Sequence, residues 1–146
     1  MAPLKLAAFD SEDLAVLSAH VQDAVLTVGD LRWRPNDQRF VVVLNRFAWE
    51  ADGKKRRQPG ERRRAVLDFA HVLSAKATKL RRDAPEAVLS LLAVTFEEGE
   101  APGGHVTLDF SGGGAIRLEV DCIEATLTDL GPVWAARARP AHELDE

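Results

Sequence analysis

The chain has 146 residues, about one domain's worth, and 40 of them are Leu, Ile, Val or Phe, enough for a buried core. Nineteen basic against 23 acidic residues leave a net charge of -4, which argues against a globally basic nucleic-acid binder. The longest apolar run, residues 40–44, is far too short for a bilayer span. The lone cysteine, Cys122, makes neither an intrachain disulfide nor a cysteine-rich zinc site, so the expected location is cytoplasmic.

Residues 10–25 read as an amphipathic helix. Asp10 is placed to cap it, with Asp13 three residues on. Phe9 and Leu14 have the spacing of a hydrophobic staple. Leu14, Leu17, Val21 and Val25 recur on one face at helical spacing.

Residues 26–34 and 39–49 read as two strands joined by a turn at Pro35-Asn36-Asp37. The segment 51–61 is charged, carries Gly53, Pro59 and Gly60, and reads as a solvated loop. Residues 62–78 fit either a helix (Val66, Phe69, Ala70, Leu73, Ala77) or a strand (Leu67, Phe69, His71, Leu73). A strand is favoured, because the clear strand at 88–97 needs a neighbour. Residues 105–110 and 115–120 alternate with period two around Ser111-Gly112-Gly113-Gly114, a second hairpin. Asp121 and Glu124 have capping-box spacing before Ile123, Leu127 and Leu130, so a short C-terminal helix is expected, stopped by Gly131-Pro132.

The expected fold is α+β: one bent antiparallel sheet of about six strands. It would be a partial barrel, open to a pleckstrin-homology-like reading, with an N-terminal and a short C-terminal helix. The domain is drawn at 1–131, with a polar tail over 132–146.

Several stretches carry a resemblance. They are residues 4–14, 20–25, 88–94 and, most specifically, Gly-Gly-Gly-Ala-Ile-Arg-Leu-Glu-Val-Asp-Cys-Ile-Glu-Ala at 112–125. In these the chain resembles an uncharacterised alphaproteobacterial family, domain of unknown function 2948. The resemblance implies a bacterial cytosolic protein of about this size, and it brings no functional residues with it.

The loudest polar feature is the basic segment Lys54, Lys55, Arg56, Arg57, Arg62, Arg63 and Arg64, opposed within its span only by Glu61, with Arg46 and Trp49 nearby. Clustered cations beside an aromatic side chain suit phosphate or nucleic acid. The plain alternative is a solvated loop that keeps an acidic protein soluble. The Ser111–Gly114 run lacks the following helix of a phosphate loop and reads as a hairpin turn. His20, His71, His105 and His142 lack metal-ligand spacing, and Cys122 has no basic neighbour to stabilise a thiolate. Asp109, Glu119, Asp121 and Glu124 could gather near one sheet edge, where cross-strand ion pairs with Arg117 account for them. Trp33 reads as a core or hairpin-edge residue, and Phe40, Phe47 and Trp49 as a partly exposed aromatic cluster.

No catalytic, cofactor or metal motif is complete, and no cofactor is implied. The expected function is a non-enzymatic binding domain whose partner is another protein, self-association included. The alternative is weak nucleic-acid or anionic-phosphate binding through the 54–64 segment.

Overall fold

The computed structural model describes residues 3–47 and 62–130. The elements run β1 (Lys5–Ala8), α1 (Ser11–His20), β2 (Ala24–Thr27), a 3-10 turn (Val28–Asp30), β3 (Leu31–Arg34), β4 (Arg39–Phe47), β5 (Arg62–Phe69), β6 (Val72–Thr78), β7 (Val88–Glu98), β8 (Gly104–Phe110), β9 (Ala115–Val120) and β10 (Ala125–Asp129). The strands form one sheet in the order β1-β10-β5-β4-β2-β7-β8-β9-β6, with β3 also beside β4. Every pairing is antiparallel. The sheet is bent but not closed.

The helix is real but shorter than the periodicity predicts. Asp10 Oδ1 accepts from the Asp13 backbone N–H at 2.8 Å, the expected cap. Leu14, Leu17 and Val21 are buried. Phe9, the proposed staple residue, is 63% exposed and does not join the core. The helix ends because Asp23 takes a left-handed conformation (φ 66°), which turns the chain into β2. Val25 therefore belongs to a strand.

The strand expected over 26–34 is two strands. Thr27 and Asp30 break it: the Thr27 N–H and hydroxyl both donate to Asp30 Oδ2, at 3.0 and 3.1 Å. Residues 62–78 are strand, but they too are divided. Ala70 and His71 form a corner where β5 becomes β6, and the strand antiparallel to both kinks beside it, between β9 and β10. The Ala70 N–H donates to Glu124 O at 2.9 Å, and the Asp121 N–H donates to His71 O at 3.1 Å. His71 has φ 58°. Its Nε2 lies 2.7 Å from Glu124 Oε1, bridging the bend. The neighbours of β5 are β4 and β10, not the 88–97 strand, so the reason for expecting a strand there was wrong although the strand exists.

No C-terminal helix stands where one was expected. Residues 125–129 form β10, wedged between β1 and β5. Ala125, Leu127 and Asp129 face inward, while Thr126 and Thr128 face out. Alternation and β-branched side chains suit a strand here. Glu124, read as a capping residue, is engaged with His71 instead. The comparison with pleckstrin-homology domains rested on that helix and has no support. Nor was β1 foreseen. Among the described residues the fold is ten strands and one helix, more sheet-rich than six strands and two helices.

The core is the concave side of the bent sheet, closed below by α1. Phe40, Val42 and Leu44 of β4, Ala65, Leu67 and Phe69 of β5, and Val106, Leu108 and Phe110 of β8 point into it. No helix among the described residues is long and apolar enough to cross a membrane.

Candidate functional site

Among the described residues three strands have a single partner: β1 pairs only with β10, β3 only with β4, and β6 only with β9. The last two, β3 and β6, matter here. Both border a cleft of about 260 Å³. Its ends are tied. At one, the Val72 N–H donates to Gln38 O at 2.8 Å. At the other, the 3-10 turn meets the loop after β6, where Gly29 N–H donates to Pro85 O at 2.8 Å and Val28 N–H to Ala87 O at 2.9 Å. Glycine at position 29 suits this contact: a Cβ there would stand 3.2 Å from Pro85 O, close enough that the loop would have to shift by a few tenths of an ångström. Lys79, at φ 57°, turns the chain out of β6 into that loop.

The result is a slot with blocked ends. Leu31 and Trp33 form one wall, in register with the inward-facing Val42 and Phe40. Ala75 and Ala77 form the other, in register with the buried Leu118 and Ile116. All four occupy core-facing positions, yet Leu31, Trp33 and Ala75 are only half-buried and Ala77 is exposed. Phe40 and Ile116 lie at the bottom. Lys76 and Arg82 border the opening. Among the described residues neither has a carboxylate within ion-pair distance, whereas Arg81 lies 3.8 Å from Asp83.

A second polar centre is internal. Arg46 and Asp129, both buried, form a two-pronged ion pair. Asp129 Oδ2 also accepts from the Leu4 N–H at 2.9 Å. Burial pushes the Asp129 carboxyl up, but hydrogen bonds from Arg46 and the Leu4 N–H, with the Arg46 charge, outweigh it and hold it below its ordinary value. With Nε, Nη1 and Nη2 all engaged, Arg46 and its partner tie strands together.

The residues singled out from sequence are scattered. Lys54, Lys55, Arg56, Arg57 and Trp49, with the 51–61 loop and His142, lie outside the described residues. Arg62, Arg63 and Arg64 are not in a loop: they open β5, paired in register with Phe47, Arg46 and Asn45. Arg62 is exposed, with its guanidinium 4.9 Å from the centre of the Phe47 ring. Arg63 and Arg64 are half-buried, and Arg64 Nη1 donates to Asn45 Oδ1 at 3.3 Å. Phe40 and Phe47 face opposite sides of β4, so they form no cluster.

Gly112 and Gly113 have φ of 83° and 90°, the hairpin turn that was expected. His20 Nδ1 lies 3.0 Å from Val16 O, and Cys122 is half-buried. Among the described residues no group of three or more His, Cys, Asp or Glu is arranged to hold a metal ion. The expected ion pairing of the acidic edge is also redrawn. Glu119 stands opposite His105 and accepts from Ser74 Oγ at 3.2 Å, while Arg117 reaches Glu97 at 3.5 Å.

Sequence reasoning missed the slot, above all Lys76, Arg82 and the two alanines of β6. A signal was present: small side chains at alternate inward positions of a strand leave room that larger residues would fill.

The fold and slot together define an antiparallel sheet domain with an unpaired seam between β3 and β6 and an apolar recess behind it. The chain belongs to the family described as protein of unknown function (DUF2948), which matches it over residues 4–142. Comparison with curated proteins and with solved structures finds no match.

Proposed function

We propose that this chain is a non-enzymatic cytosolic binding domain and that the slot between β3 and β6 is where it binds. One observation carries the reading: Leu31, Trp33, Ala75 and Ala77 face the core side of their strands but keep contact with solvent. Interior apolar surface left open forgoes roughly 25 cal/mol per Å² of burial, which an occupant would restore. A volume of about 260 Å³ is at the small end for ligand sites, which run ~300–1,000 Å³. That supports a small molecule, or one inserted side chain of a protein partner, over a broad docking face. The alternative, nucleic-acid or phosphate binding through residues 54–64, has less support. Of its three described cations only Arg62 is exposed, and that one lies against Phe47.

The test is a panel of small apolar compounds, neutral and charged, titrated into the full chain. The Trp33 indole N–H would be followed by NMR and assigned with Trp33→Phe. Compounds that enter the slot shift that signal, and Ala77→Phe, which fills the mouth, abolishes the shift. If no compound moves it, the slot is not a binding site.

A further inference from the structure

We propose that the slot takes a small amphiphilic carboxylate, its apolar body against Trp33 and Phe40 and its charged head at Lys76 and Arg82. This rests on reading the slot as a binding site and adds the class of ligand. The floor and walls are apolar, so the buried part of the ligand carries no charge. The charge at the opening has one sign. Lys76 sits in register with Arg117, a like-charged cross-strand pair of the kind that is ordinarily unfavourable. Arg117 finds Glu97, but Lys76 has no such partner among the described residues. Arg82 likewise stands without a carboxylate, on a loop whose position is set by the Gly29–Pro85 hydrogen bond. Four cations fall within residues 76–82 of a chain whose net charge is -4.

A cationic ligand would be repelled there, and a neutral one would draw from Lys76 and Arg82 only a weaker hydrogen bond than a carboxylate does. A carboxylate accepts charge-assisted hydrogen bonds from both, in the paired geometry that a guanidinium favours. The blocked ends select a compact body, one ring or a short chain, rather than a peptide running through.

The pair octanoate and 1-octanol tests this, since they share a chain and differ in the head. At low ionic strength octanoate is expected to bind about tenfold more tightly than octanol, as one charge-assisted hydrogen bond commonly gives. Both should shift the Trp33 indole N–H. The double variant Lys76→Gln/Arg82→Gln changes two exposed side chains and should fold normally. It should lower octanoate affinity to that of octanol and leave octanol nearly unchanged. Added salt should narrow the gap between the two ligands in the wild type. Equal binding of the two by the wild type, or a preference that survives the double variant, would overturn the carboxylate assignment and leave the slot itself standing. If neither ligand shifts Trp33, and neither does any compound of the wider panel, assignment and slot fall together.

Discussion

Arg46 and Asp129 meet side by side in the interior, Nε to Oδ1 at 2.9 Å and Nη2 to Oδ2 at 2.8 Å. They come from strands that are not neighbours. β5 runs between β4 and β10, and its inward residue in line with Asp129 is Ala65. The arginine continues the inward face of Phe40, Val42 and Leu44, so its charge has no route to water. The Asp129 carboxylate, held also by the Leu4 N–H, is what makes that position tolerable.

Removing one member should therefore cost more than removing both. Asp129→Leu takes the Asp129 carboxylate away from a buried guanidinium and is expected to destabilise by about 3–5 kcal/mol. Arg46→Met combined with Asp129→Leu should cost well under the sum of the two single changes. Urea denaturation of the four proteins of this cycle measures the coupling. Simple additivity would mean the pair does not act as a unit.

The depressed carboxyl pKa of Asp129 has a definite sign. A group held below its unfolded value of 3.8 adds stability at higher pH. That contribution is lost as pH falls from that value through the folded one. The wild type should lose stability below about pH 4. The Arg46→Met/Asp129→Leu protein should lose less over the same interval, as read by denaturation midpoints at several pH values. Parallel curves would exclude Asp129 as a source of the acid sensitivity.

Ala65 is small and buried, in register with Leu44 on one side and Asp129 on the other, beside the line from Arg46 to Asp129. Ala65→Leu is expected to cost about 1–3 kcal/mol by overpacking. Much of that cost should vanish in an Arg46→Ala background, where the crossing side chain is gone. An unchanged penalty in both backgrounds would show that Arg46 takes another path.

His71 sits at the sheet corner with φ 58°, a conformation that costs non-glycine residues about 1–2 kcal/mol. His71→Ala loses the contact to Glu124 and keeps the strain, whereas His71→Gly loses the contact and relieves it. The glycine variant should melt above the alanine variant. The reverse order would show that the backbone there is not strained.

Leu17 is buried under the sheet. Leu17→Ala should cost about 2–5 kcal/mol, measurable by thermal or chemical unfolding. A loss under 1 kcal/mol would place α1 outside the cooperative core.

What could be read in the sequence was local and periodic. Leu14, Leu17 and Val21 mark a face because a helix repeats them within one element. The 105–120 hairpin is legible because alternation and glycines lie side by side. β10 was misread because Ile123, Leu127 and Leu130 match helical spacing, while the alternation of Ala125, Leu127 and Asp129 is masked by the polarity of its last member. Arg46 looked like an outlier of the basic segment, since its partner lies 83 residues away. The slot left almost no trace. It is a gap between strands that do not pair, and a sequence pattern reports residues that touch neighbours rather than the space between them.

The contact between Leu4 and Asp129 spans 125 residues, nearly the whole chain. On the ribosome, β4 and β5 emerge long before the strand that neutralises Arg46. Until residue 129 is free, burying β4 means burying Arg46 without the Asp129 carboxylate, so the nascent sheet has reason to stay open. Closure of the described sheet is in effect signalled by the arrival of β10. Nascent chains arrested before residue 125 should remain protease-sensitive, and protection should appear abruptly once β10 has cleared the exit tunnel. Gradual protection, strand by strand, would show that the early sheet closes without waiting for its counter-charge.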